Sequence, residues 1–272
     1  IGEAPPLALP DLRNDQLPLT GLRVLDLTRI VAGPVAGRCL ASLGADVLLV
    51  NAPHLPNIGL IAETSRGKRS CHLDLRAQDD RRAMDALLSD AHVFVQGYRP
   101  GGLEALGYGA QALAERRPGI VVVSLSAYGE QGPWAQRRGF DSLVQAATGF
   151  NLAEAEAAGS AQPKALPMQI LDHASGYLMA FATAAAKLRQ LREGGSWHVR
   201  VSLAQTAHWL RGLGRVPPGF AVAAPDRLPF LETYSSGFGE LMAVRPTPQL
   251  SRTPARWSRP SVPPGTHAPE WP

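Results

Sequence analysis

Short, mostly apolar segments recur along the chain at 22–27, 46–50, 70–75, 92–96 and 120–124. They are rich in Val and Leu and too short for buried helices, which predicts strands covered on both faces. Between them the apolar positions change to helical spacing. Val35, Cys39, Leu40 and Leu43 share one face; Pro34 suits the first turn, and Gly44 provides a left-handed stop. Met84, Leu87 and Leu88 form the inner face of a helix over 79–89, and 110–116 reads as another. Strands alternating with helices at this spacing predict an α/β fold, a parallel sheet with helices on both faces.

The pattern changes after residue 126. A glycine-rich loop, 128–139, leads to a helix over 140–148, a polar linker, and a long Ala-, Leu- and Met-rich helix over about 173–189. Residues 197–203 alternate apolar and polar, as a half-exposed strand would. The proline-rich opening, 1–17, reads as a connecting arm; 18–212 is the α/β domain; 213–272 is a linker and extended tail. Eight prolines between 245 and 272 predict a tail lying on the domain surface. No internal repeat is present.

Hydrophobic residues make up 45% and charged residues 18%, the balance of a globular chain rather than a disordered one. No run approaches the roughly 20 apolar residues of a membrane span. Cys39 and Cys71 fall in a helix and a strand, which suggests buried thiols in a reducing, cytoplasmic setting. The histidines show no metal-ligand spacing, so no metal is expected. The net charge of +4 comes without basic runs interleaved with aromatics, so a phosphorylated small molecule fits better than nucleic acid.

Open parallel sheets bind ligands beyond the carboxyl ends of their strands, here the loops 29–33, 51–67, 97–102 and 127–139. Three segments pair glycine with arginine: Ser65-Arg66-Gly67-Lys68-Arg69, Tyr98-Arg99-Pro100-Gly101 and Arg137-Arg138-Gly139. Such pairs suit phosphate oxygens, and they suit ordinary solvated turns equally well. Ala32-Gly33-Pro34-Val35-Ala36-Gly37 is not GxGxxG, and no GxxxxGK[ST] occurs. Asp172, just before the long helix, is a natural N-cap; the same place favours an ionised carboxylate, and a carboxylate beside a thioester can act as nucleophile. His173 and Asp141 read as a packing residue and a cap or ion-pair partner. Tyr98 and Trp134 are candidates for stacking on adenine.

The ordered motifs carry a resemblance. Residues 18–29 (Pro-Leu-Thr-Gly-Leu-Arg-Val-Leu-Asp-Leu-Thr-Arg), Ala32-Gly33-Pro34 and Leu43-Gly44-Ala45-Asp46-Val47 resemble the opening of class III CoA-transferases (CaiB/BaiF). Arg66-Gly67-Lys68-Arg69-Ser70, Tyr98-Arg99-Pro100-Gly101, Tyr128-Gly129-Glu130-Gln131-Gly132-Pro133, Gly139-Phe140-Asp141 and Asp172 with Gly176 follow in the family's order. The resemblance implies a Rossmann-like domain that uses coenzyme A as substrate, in acyl-CoA, without metal. The aspartate matching Asp172 would attack the thioester to give an aspartyl mixed anhydride, and a carboxylic acid would then accept CoA. By the same resemblance Arg29, Ile30, Val31, Ala32, Leu73, Arg76, Gly97, Tyr98, Leu106 and Arg138 would line the CoA site.

The family also includes acyl-CoA racemases, which use a histidine where this chain has Phe140; phenylalanine cannot transfer a proton, so transfer is favoured over racemisation. A non-catalytic CoA-binding domain of a larger assembly is a further alternative. Family members carry a second, smaller domain after the segment matching 199–203, and only 212–227 fills that place here. The expectation is that the small domain is absent and that the chain is the C-terminal part of a longer member, or works with a dimer partner or a separate closing domain. Asn51, Ala52, Ser65 and Gln96-Gly97 also depart from the family's usual residues.

Overall fold

The computed structural model describes residues 1–217 and 219–272. Strands β1 (Arg23–Leu27), β2 (Asp46–Asn51), β3 (Arg69–His72), β4 (Val93–Gln96), β5 (Val121–Ser126) and β6 (Trp197–Ser202) form one sheet. Its order is β3-β2-β1-β4-β5-β6, and every pairing in it is parallel. The chain runs outward from β1 to β3, then crosses back to β4. The strand order therefore reverses between β1 and β4, and a crevice opens beyond their carboxyl ends.

The helices are α1 (Ala32–Ser42), α2 (Ile61–Thr64), α3 (Gln78–Asp90), α4 (Ala110–Arg116), α5 (Asp141–Ala147), α6 (Phe150–Ala157), α7 (Ile170–Glu193) and α8 (Leu203–Gly212). Alternate residues of each strand serve opposite faces. Leu25, Leu48, Phe94 and Val122 pack with Met84, Leu87 and Leu88 of α3 and Leu113 of α4. Val24, Val47, Val93, Val121 and Val123 pack with Ala36, Cys39 and Leu40 of α1 and Met179 and Ala180 of α7. Both faces are thus dry, as the unbroken valine and leucine runs require. Among the described residues, no helix is long and apolar enough to cross a membrane.

Two glycines allow close approach, Gly176 of α7 to α1 and Gly37 of α1 to β1. A Cβ on Gly176 would come 2.6 Å from the Ala32 carbonyl oxygen, and one on Gly37 would come 2.2 Å from Asp26 Oδ2. Asp26 is a charge inside a core strand, and Lys68 answers it. Lys68 Nζ donates to Asp26 Oδ2 at 2.7 Å and to the Pro34 carbonyl at 2.8 Å. Asp26 Oδ1 accepts the Thr28 hydroxyl. The first turn of α1 is therefore tied to β1 and to the turn before β3.

Several elements differ from the sequence expectations. The third strand ends at His72, and the long helix begins three residues early and extends to Glu193. The expected polar linker holds α6, whose Phe150 faces a small core shared with α5, α7 and α8. The region expected to be only linker and extended tail contains an antiparallel hairpin, β7 (Leu231–Ser236) with β8 (Gly239–Val244). Their half-exposed alternation is too weak to stand out amid prolines. The segment beyond residue 244 is extended, and it docks firmly at several points. Trp257 Nε1 donates to the Arg38 carbonyl at 3.0 Å, and Trp271 Nε1 to the Leu87 carbonyl at 2.9 Å.

The arm at the start is equally anchored. Gly2 bridges Ser196, and the buried Lys187 and Gln190 of α7 bond to the backbone of Leu7 and Pro5.

Candidate active site

A cavity of about 470 Å³ opens at the strand-order reversal. Leu27 ends β1 there, Gly97 and Tyr98 follow β4, and Leu125, Ser126 and Ala127 follow or end β5. The loop from β1 to α1 supplies Arg29, Ile30, Val31 and Ala32, while Arg99, Arg137, Arg138 and Phe140 come from the neighbouring loops. Asp172 lines the same cavity and is its sole carboxylate among the described residues.

Of the residues singled out from sequence, Asp172, Arg29, Ile30, Val31, Ala32, Gly97, Tyr98 and Arg138 are brought together here. Leu73, Arg76 and Leu106 are not among the lining residues. Leu73 is 3% exposed in the core, and Leu106 packs against that same core. Arg76 sits on the surface, bound to Asp74 at 2.6 Å and facing His54. Trp134 stands apart too, packed edge-on against Tyr128.

Among the three glycine–arginine segments, two reach the cavity and one does not. Ser65-Arg66-Gly67-Lys68-Arg69 is occupied by the protein itself. The Arg66 guanidinium lies 3.7 Å from the Tyr234 ring and 4.2 Å from the Trp257 ring, with Glu232 at 2.8 Å. Lys68 is buried against Asp26, and Arg69 donates to the Glu270 carbonyl at 2.5 Å. The segment is thus buried under the protein's own tail, not the solvated turn of the ordinary reading.

The β1–α1 loop is held in an unusual shape. Ile30 has φ of +76°, the one non-glycine residue in the left-handed region among the described residues. A β-branched residue there costs on the order of 1–3 kcal/mol, and such strain is found where a site dictates the backbone. The N-cap of α1, Val31, makes no side-chain cap, and Val31 and Ala32 at the start of the helix line the cavity. Arg29 donates to the Pro56 carbonyl, while its Nε is buried without a partner.

Asp172 is the third residue of α7 rather than its N-cap, and it is 7% exposed. Gln169 occupies the cap position without a capping side chain. The capping carboxylate comes from α5 instead: Asp141 Oδ2 accepts the Asp172 backbone N–H at 2.9 Å. Gln145 donates to Asp141 Oδ1 and to the Met168 carbonyl, and its Oε1 accepts the Leu166 N–H at 3.1 Å.

Burial, and then the neighbouring Asp141 charge, push the Asp172 pKa up to about 7. The expectation that the helix terminus would keep this carboxyl ionised is therefore reversed. A helix dipole contributes roughly 0.3–1 kcal/mol, whereas a rise of this size corresponds to roughly 4 kcal/mol. Desolvation wins. The result is a carboxyl that changes charge near neutrality, on the wall of a cavity otherwise lined by arginine and apolar groups.

Sequence reasoning passed over Leu55, Leu125 and Leu203 as wall residues. The first two lie in or beside loops correctly placed at the mouth of the sheet; Leu203, just after β6, carried no local signal. The Asp26–Lys68 pair was also missed, although a charge within a core strand demands a partner.

Comparison with known proteins agrees with this geometry. CoA-transferase family III matches residues 19–213. The probable fatty acyl-CoA transferase Rv3272 of Mycobacterium tuberculosis is 36% identical over 208 residues, covering 71% of this chain and 52% of that protein. The succinate–glutarate CoA-transferase of Agrobacterium fabrum is 30% identical over 212 residues, covering 71% and 52%. The chain spans about half the length of these curated relatives. A crystal structure of Rv3272 superposes with a TM-score of 0.66 at 34% identity, covering 75% of this chain and 61% of that one. A CAIB/BAIF family protein from Brucella suis superposes with a TM-score of 0.64 at 25% identity, covering 83% and 65%. A family match across most of its length, on a six-stranded parallel sheet with the acid at its mouth, makes this chain a member of CoA-transferase family III.

Proposed function

We propose that the chain carries the CoA-ester site of a class III CoA-transferase and that Asp172 is its acyl-accepting nucleophile. The observation that carries this reading is a nearly buried carboxyl on the wall of a cavity whose cations are Arg29, Arg99, Arg137 and Arg138. Guanidinium groups suit the phosphates of a CoA ester, and the partnerless Nε of Arg29 is a donor in search of an acceptor. Burial keeps water from the acid, and an anhydride in contact with water would hydrolyse.

The bond changes balance without an external reagent. An Asp172 oxygen attacks the thioester carbonyl, the C–S bond breaks, and CoA departs as thiolate. The thiolate attacks the aspartyl carbonyl of the anhydride, releasing the donor acid with an oxygen taken from Asp172. The incoming carboxylate displaces the thiolate from the aspartyl group, and the thiolate then attacks the acceptor's acyl carbon. This last step frees Asp172, now holding an oxygen from the acceptor. Racemisation would need two proton-transfer groups at the substrate carbon. The cavity wall offers Asp172 and, where a histidine would be needed, Phe140.

The oxygen ledger gives the test. After a single turnover with an acceptor acid labelled with oxygen-18 in its carboxylate, the peptide containing Asp172 gains one label. Turnover that leaves this peptide unlabelled contradicts the proposal.

A further inference from the structure

Asp141 is 1% exposed, and Gln145 is 3% exposed. Neither lines the cavity, and no basic side chain bonds to the Asp141 carboxylate among the described residues. Its two oxygens are spent on the Asp172 backbone N–H and the Gln145 amide. Gln145 in turn grips the backbone on both sides of Pro167, at Leu166 and Met168, just ahead of α7. A buried, unpaired carboxylate is costly, and a neutral cap would satisfy one N–H at less expense. Its direct bond to the backbone N–H of the reactive acid gives that charge a use.

Resting on the reading of Asp172 as nucleophile, we infer that Asp141 is a positioning residue for it. The carboxylate fixes the first turn of α7 through the Asp172 N–H, fixes the approach to that turn through Gln145, and sets the charge environment of the attacking acid. It does not line the cavity; it acts through the Asp172 N–H and through its charge, which His173 also feels. The charged group that acts on Asp172 is Asp141 from α5, and Arg29, Arg99, Arg137 and Arg138 from the loops line the same cavity. His173 is the neighbour of Asp172 on α7; burial and then Arg38 of α1 lower its pKa, and the Asp141 charge opposes them. Of these groups, Asp141 is the one that disfavours ionisation of Asp172 through its charge.

Two substitutions separate the two effects. Asp141→Asn keeps an oxygen for the Asp172 N–H and removes the charge, while its NH2 cannot accept from Gln145. The pH midpoint of acyl exchange falls by about one unit, so the ratio of the rate at pH 6 to the rate at pH 9 rises about fivefold. Asp141→Ala removes the acceptor as well, so kcat falls at least tenfold at every pH while KM for the CoA ester stays within twofold. A profile for Asp141→Asn that superimposes on the parent's overturns the inference, as does an alanine variant with undiminished kcat.

Carbon-13 NMR titration of the Asp172 carboxyl in the parent and in Asp141→Asn gives a reading that needs no turnover. The midpoint of Asp172 moves down in the variant; an unmoved midpoint sinks the inference whether or not Asp172 is the nucleophile. Absence of any acyl group on Asp172 in the parent, with the NMR midpoint moving as expected, would instead fault the proposed reaction.

Discussion

Lys68 Nζ lies 2.7 Å from Asp26 Oδ2, and neither side chain has any solvent exposure. The ammonium also holds the Pro34 carbonyl, in the first turn of the helix that follows the strained Ile30 loop. A pair of this kind is weak as a net source of stability, since two charges have left water. Its value is geometric: it fixes where α1 begins, and with it the wall formed by 29–32.

Breaking one half of the pair leaves an uncompensated buried charge. Asp26→Ala is expected to destabilise the chain by about 3–5 kcal/mol, measured by urea unfolding. Replacing both partners, Asp26→Leu with Lys68→Met, recovers most of that loss. Recovery of stability without recovery of CoA-ester affinity would show that the pair serves the site rather than the core.

Gly176→Ala tests the α1–α7 contact on which the site depends. The added methyl meets the backbone oxygen of Ala32, which cannot swing aside as a flexible side chain could. The two helices must separate, carrying Asp172, one turn earlier on α7, away from the 29–32 wall. Acyl exchange falls by more than tenfold, and thermal unfolding shows a loss of about 1–3 kcal/mol.

Arg66 anchors the hairpin and tail. Arg66→Ala removes a guanidinium packed against Tyr234 and Trp257 and an ion pair with Glu232. The expected cost is about 1–2 kcal/mol, and limited proteolysis cuts within 231–257 earlier than in the parent. Unchanged cutting would mean that the other tail contacts suffice.

Much of the architecture was legible because buried parallel strands leave unbroken apolar runs, as in Val121-Val122-Val123, and helices leave their spacing, as in Met84-Leu87-Leu88. The loops at the sheet's mouth followed from that order. What stayed hidden depends on distant partners. Nothing local at Ser65–Arg69 announces that a tail nearly two hundred residues later will cover it, as the contact between Arg66 and Trp257 does. Nothing near Leu73 or Leu106 distinguishes a wall residue from a core residue. The acidity of Asp172 was misjudged for the same reason, since desolvation is set by the whole surrounding fold and a helix position is not.

The Asp172 shift has a signed consequence for stability. Its folded pKa, about 7, lies above the ordinary carboxyl value of 3.8, so the folded state holds a proton that the unfolded state releases. That contribution is fully present below pH 4 and is lost as pH rises through 7. Asp172→Asn is therefore more stable than the parent at pH 8, by up to roughly 4 kcal/mol, and the gap closes toward pH 4. In the parent, acyl exchange rises with pH through 7 as the attacking oxygen ionises. Paired melting curves at pH 4 and pH 8 check the first statement, and a rate profile checks the second.

The most direct measurement is chemical capture of the acyl-enzyme. The chain is incubated with an acyl-CoA and hydroxylamine, digested, and read by mass spectrometry. A hydroxamate on Asp172, absent from Asp172→Asn and dependent on the CoA ester, is the predicted result. Exchange that proceeds while Asp172 remains an unmodified carboxylate would contradict the account.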